Sequence, residues 1–138
     1  MKISAHLKSS RGSLETELRT DDRSRSIALP TKPDGYGSGV NGGELLFLAL
    51  AACYCNDIFR EAVKKEIRVH SVDVTVQGDF GAEGEPARNV SYDVRVEADA
   101  PESAIRDLAL HTDGAAEIQN TVRVAIPVLL TTIQAVSR

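Results

Sequence analysis

The chain has 138 residues, the length of one domain, and 16 Lys and Arg against 20 Asp and Glu give a net charge of -4. That balance, with no basic stretch, argues against nucleic acid or an anionic membrane as partner and leaves small molecules and proteins. Two cysteines two residues apart supply no disulfide framework, and the N-terminus alternates instead of forming an apolar signal region, so a reducing, cytoplasmic setting is expected.

Ile3, Ala5 and Leu7 alternate with polar residues, as do Leu14, Thr16 and Leu18, which predicts two strands around a turn at 9–12; Ser26 to Leu29 is a weaker third strand. Two prolines and five glycines from Pro30 to Gly43 give no period and form a loop. Gly42 to Glu66 then reads as one long helix. Its first turns, Leu45 to Cys55, are apolar or small on every side, the pattern of a helix buried all round. The run is short of the roughly 20 residues a membrane span needs, so no membrane is expected. A small domain cannot cover such a helix alone, and an interlocked homodimer is the expected solution.

Val72, Val74 and Val76 share one side of a strand, and Val90, Tyr92, Val94, Val96 and Ala98 form its hairpin partner across the Gly78 to Arg88 loop. Pro101 opens a helix to about His111, with Gly114 as the expected stop. A short helix from Ala115 to about Arg123 follows, and Val124 to Val136 has strand composition, with Pro127 suggesting an edge.

On a helix of about 100° per residue, Cys53 and Cys55 project roughly 200° apart and cannot form a disulfide in an intact helix. Cys55 joins the apolar stripe of Ile58, Phe59 and Ala62 as a small core residue. Cys53 lies where an apolar side (Leu46, Ala49, Leu50) turns polar (Asn56, Asp57, Arg60). A reactive thiol needs a cation or donor to favour the thiolate; Arg60 is a candidate and Asp57 would oppose it, so a structural and a reactive Cys53 both stand. Asp57 with Arg60, and Glu61 with Lys65, read as ordinary exposed helix pairs. His6, His70 and His111 match no zinc spacing, and neither metal nor cofactor is expected.

Glu44-Leu-Leu-Phe-Leu-Ala-Leu-Ala-Ala-Cys53 resembles the central-helix signature of the OsmC and Ohr family, and Ala116-Glu-Ile-Gln-Asn-Thr-Val122 is similar to its second signature, Cys-Pro-Val-Ser-Asn-Thr-Leu. The element order agrees across nearly the whole chain. The resemblance implies an α+β, OsmC-like fold over residues 1–138, with antiparallel sheets around a long buried central helix in an intertwined homodimer. It implies reduction of small apolar hydroperoxides in oxidative stress defence, with Cys53 as the peroxidatic cysteine. The resolving cysteine of that family falls on Ala116, so an external thiol reductant is implied. The glutamate that orients the catalytic arginine is represented by Glu44, and among Arg19, Arg23, Arg25 and Lys32 the arginine itself is assigned to Arg25. The alternative is a catalytically inactive OsmC-like homodimer that binds an apolar small molecule at its subunit interface.

Overall fold

The computed structural model describes residues 1–138. The elements are β1 (Ile3–Ser10), β2 (Ser13–Thr20), β3 (Arg23–Arg25), α1 (Gly42–Lys64), β4 (Arg68–Asp79), β5 (Arg88–Asp99), α2 (Glu102–Ala115) and α3 (Glu117–Arg123). They fall in two compact units, Met1–Leu46 and Phe47–Arg138.

The first unit is an antiparallel meander in the order β1-β2-β3. Gly12, at φ 76, turns β1 into β2, with Ser10 opposite Ser13. The third strand is Arg23–Arg25 and not Ser26 to Leu29. The chain reverses directly after β2 at Asp21, whose φ is 51, so pairing starts at once with Arg23 opposite Thr20. Beyond Arg25 the Thr16 hydroxyl replaces the ladder, donating to the Ile27 carbonyl (2.6 Å) and accepting from its N–H (3.1 Å). The unit ends in the first turn of α1, where a capping box forms: the Glu44 N–H donates to Asn41 Oδ1 (2.8 Å) and the Asn41 N–H to Glu44 Oε1 (3.2 Å).

In the second unit β4 and β5 form a hairpin whose paired valines, Val72 with Val96 and Val74 with Val94, share one side. Tyr54, Ile58 and Ala62 of α1 and Leu108 of α2 pack against that side. Tyr54 meets Tyr92 edge-on at 5.3 Å, and its buried hydroxyl donates to the Ala109 carbonyl at 2.9 Å.

Two expectations are corrected here. Helix α2 runs through Gly114 to Ala115 and stops at Ala116, which is extended at φ -73, ψ 111. A left-handed glycine cap is not needed, because α3 supplies donors to the exposed carbonyls: Asn120 Nδ2 to Gly114 (3.0 Å) and an Arg123 guanidinium nitrogen to Asp113 (3.1 Å). The segment after Arg123 holds no strand. A strand needs a neighbour for its backbone groups, and this chain pairs none with residues 126–138.

Helix α1 buries one side only. Leu50, Tyr54, Asp57, Ile58, Glu61 and Ala62 are buried, whereas Leu48, Ala52, Phe59 and Val63 form an exposed stripe at i, i+4, i+11 and i+15. With 23 residues and a largely apolar first half, α1 is by length and composition apolar enough to cross a membrane, but its second half carries Asp57, Arg60, Glu61 and Lys64.

Gly78 of β4 tests the packing at the hairpin end. A Cβ there would lie 2.8 Å from Phe47 Cζ and 3.0 Å from Val90 Cγ2. Gly78→Ala is expected to destabilise the protein by about 1–3 kcal/mol, read as a lower urea midpoint at unchanged slope.

Candidate functional site

Cys53, Asp57 and Glu61 follow one another at i, i+4 and i+8, and so stack on one side of α1 next to the buried Leu50, Tyr54 and Ile58. Sequence spacing made Asp57 and Glu61 exposed helix partners; both carboxylates are instead buried, at 6% and 3% exposure. Buried carboxylates require compensation, and Arg60 provides most of it. One terminal nitrogen of its guanidinium donates to Asp57 Oδ1 at 2.9 Å and to Glu117 Oε1 at 3.1 Å, while Nε donates to Glu61 Oε1 at 3.0 Å. Glu61 also accepts from Lys64, not Lys65, at 3.0 Å, and its other oxygen lies 3.1 Å from His111 Nε2 of α2.

The break at Ala116 brings Glu117 into this cluster. Ala116 is fully buried, and α3 starts immediately beyond it. Gln119 fixes the same junction by donating from Nε2 to the Leu50 carbonyl at 2.9 Å. The second oxygens of the two clamped carboxylates then face the thiol: Cys53 Sγ lies 3.4 Å from Asp57 Oδ2 and 3.9 Å from Glu117 Oε2.

The electrostatic result follows from those neighbours. Burial pushes the Cys53 thiol up from its ordinary value; the Ile118 N–H opposes this, and Asp57 and Glu117 add to it by repelling a thiolate. None of the hydrogen bonds of Arg60 reaches Sγ, so the expected cation is spent on carboxylates. Burial, and then the hydrogen bond with Glu117, also raise Asp57, against the pull of Cys53 and Arg60. Lys64, then Arg60 and His111, hold Glu61 at about 2.

The other predicted residues have settings of their own. Cys55 is half-buried on a different side of α1. Glu44 is nine residues ahead of Cys53, about half a turn out of phase on the helix, and its Oε1 serves the capping box. Arg25 is exposed at the end of β3, opposite Leu18, beside a shallow groove with Arg19 and Arg23. Cys53, Asp57 and Glu117 place one possible ligand atom each within 4.8 Å of one another, close enough to hold a cation, though an ion there would compete with Arg60 for both carboxylates. A separate cleft of about 490 Å³, lined by Tyr54, Tyr92, Val94, Val96, Ile105 and Leu110, lies between α2 and β5 and does not include Cys53.

The fold and the central thiol helix define an OsmC-type protein. The sequence matches the OsmC-like protein family over residues 35–131, and the chain belongs to that family. Among solved structures it is similar to an OsmC-like protein from Mycoplasma pneumoniae (TM-score 0.67, 17% identity, 89% of this chain and 88% of that one). It is similar also to an organic hydroperoxide resistance protein from Legionella pneumophila (TM-score 0.53, 19% identity, 89% and 90%) and to the organic hydroperoxide resistance protein OhrB of Bacillus subtilis (TM-score 0.54, 14% identity, 89% and 91%). At such identities the likeness establishes the fold. No curated protein sequence matches the chain.

The depressed Glu61 sets a pH dependence. In the unfolded chain this carboxyl titrates near the ordinary glutamate value of about 4.3. Its ion pairs therefore stabilise the fold fully above that pH and are lost as pH falls through about 2. Glu61→Gln is expected to lower Tm at pH 7, with the gap to the native chain closing between about pH 4 and pH 2 in a calorimetric series.

Proposed function

We propose that this protein is a homodimeric, thiol-dependent peroxidase that reduces small organic hydroperoxides, with Cys53 as the peroxidatic residue. The observation that carries this reading is the thiol at the family's signature position, only partly buried at the α1–α3 junction, with a polar cluster on one side and the apolar Ala49–Leu50 turn on the other. Cys53 sulfur attacks the hydroxyl-bearing oxygen of the peroxide, the O–O bond breaks, and the alkoxide leaves as an alcohol after taking a proton. The resulting sulfenic acid has no cysteine at Ala116 to condense with, so two external thiols return it to the thiol, forming their own disulfide and water. Arg25 and Glu44 are the proposed activating cation and its orienting carboxylate. A cytoplasmic location fits a cycle that needs reduced thiols.

Two features support the dimer. The stripe of Leu48, Ala52, Phe59 and Val63 is uncovered, and the tail exposes Val128, Leu130 and Ile133 at 92%, 82% and 76%. Burying each such side chain stabilises an assembly by about 1.5–3 kcal/mol, so light scattering is expected to give twice the 14.9 kDa chain mass.

The second reading, an inactive homodimer that binds an apolar small molecule at its interface, is favoured by one specific observation: Asp57 and Glu117 both face Sγ and disfavour the thiolate. Consumption of cumene hydroperoxide with a dithiol separates the two. The native chain is expected to exceed Cys53→Ser by at least about tenfold, because one positioned nucleophile or proton donor contributes on that scale or above. Equal rates reject the peroxidase. Because burial and the neighbouring carboxylates push the thiol up from its ordinary value, iodoacetamide should label Cys53 slowly at pH 7 and progressively faster as the pH rises.

A further inference from the structure

The site has an unusual balance: the groups nearest the sulfur are anions, and the guanidinium that could have stabilised a thiolate is bound to those anions instead. A peroxidase that works through a preformed thiolate gains nothing from this arrangement. One that moves the thiol proton during attack gains a base.

We propose that Asp57 is a catalytic residue of this protein, accepting the Cys53 thiol proton through Oδ2 during attack and delivering it to the departing alkoxide. The inference rests on the peroxidase reading above and assigns its proton path. The geometry supplies each part. Asp57 Oδ2 is 3.4 Å from Sγ, in hydrogen-bond contact with the thiol, while Oδ1 is fixed at 2.9 Å by Arg60, so the oxygen that meets the thiol is not the one the guanidinium holds. Arg60 is the positioning residue, since it also fixes Glu117 and Glu61. The proton and electron balance closes without any further reactant. Thiol and hydroperoxide become sulfenic acid and alcohol; the sulfur lone pair forms the S–O bond, the O–O pair leaves with the alkoxide, and the thiol proton ends on that oxygen.

Every charged group that faces the thiol bears on its pH behaviour. Asp57, with Arg60, Glu61 and Lys64 behind it, belongs to α1 and Glu117 to α3, while His111 of α2 meets Glu61 and not the thiol. The anions nearest the sulfur, Asp57 and Glu117, are the ones that oppose its ionisation.

Two electrophiles test the assignment. Iodoacetamide expels iodide, which needs no proton, whereas a hydroperoxide expels an alkoxide that does. In Asp57→Asn the loss of a neighbouring negative charge raises the thiolate fraction, and this outweighs the smaller loss of nucleophilicity, with a Brønsted slope of about 0.4–0.5. Alkylation of Cys53 at pH 7 should therefore become faster. Sulfenic acid formation with cumene hydroperoxide in a single turnover should become about tenfold to a hundredfold slower, and its rate should track thiol ionisation alone from pH 6 to 9. Asp57→Glu, which keeps a carboxylate, should recover part of the peroxide rate. Acceleration of both reactions, or an unchanged peroxide rate, would show that Asp57 only repels the thiolate and would overturn the proposal. An equal slowing of both, or no recovery in Asp57→Glu, would make its role structural and overturn it too. Equal peroxide consumption by the native chain and Cys53→Ser is a different failure: it removes the peroxidase reading itself, and this proposal with it.

Discussion

Arg60 is the residue on which the site depends. Helix α1 buries Asp57 and Glu61 against the rest of its unit, and buried carboxylates without partners would cost more than the packing around them could offset. One guanidinium, planar and always charged, bonds to both and also to Glu117. A lysine could not do this with the same geometry, because its ammonium is a single point charge. The clamp also orients what it holds, so that the unclamped oxygens of Asp57 and Glu117 face the sulfur of Cys53.

The fold around the clamp explains why those groups meet. The valine side of the β4–β5 hairpin fixes α1 through Tyr54, Ile58 and Ala62, and Leu108 anchors α2 to the same core. The extended residue Ala116 then redirects the chain, so that α3 approaches α1 with Glu117 near the thiol and Gln119 on the Leu50 carbonyl. Where the resemblance places a cysteine and a proline, this chain has Ala116 and Glu117, a small buried residue and a charged one. The exchange leaves no thiol at that buried position and puts a carboxylate beside Cys53. The protein thus keeps the family's scaffold with its own electrostatics.

Much of the architecture was legible in the sequence. Alternating valines gave β4 and β5, and alternation gave β1 and β2; in β2, β4 and β5 that period of two matches one partly covered side, while β1 is exposed throughout. The long apolar run gave α1, and the Glu44 to Cys53 signature gave the family and the central thiol. Three local readings failed for tertiary reasons. A side-chain hydroxyl at Thr16 took the place of a third strand's ladder. Donors from α3 replaced a glycine cap at Gly114. The apolar tail pairs with none of the strand edges of its own chain.

The sequence by itself determined which residues are apolar at which period, and so the elements, their order and the place of Cys53 on its helix. It also held a signal that pairwise spacing obscured: Cys53, Asp57 and Glu61 at four-residue steps beside buried positions. Only the tertiary structure decided that Asp57 and Glu61 are covered, that Arg60 bonds to carboxylates and not to the thiol, and that Glu117 and His111, 60 or so and 50 residues along the chain from their partners, complete the cluster. The physical reason is that periodicity fixes the side of a helix on which a residue lies, whereas charge compensation depends on what the rest of the chain brings to that side.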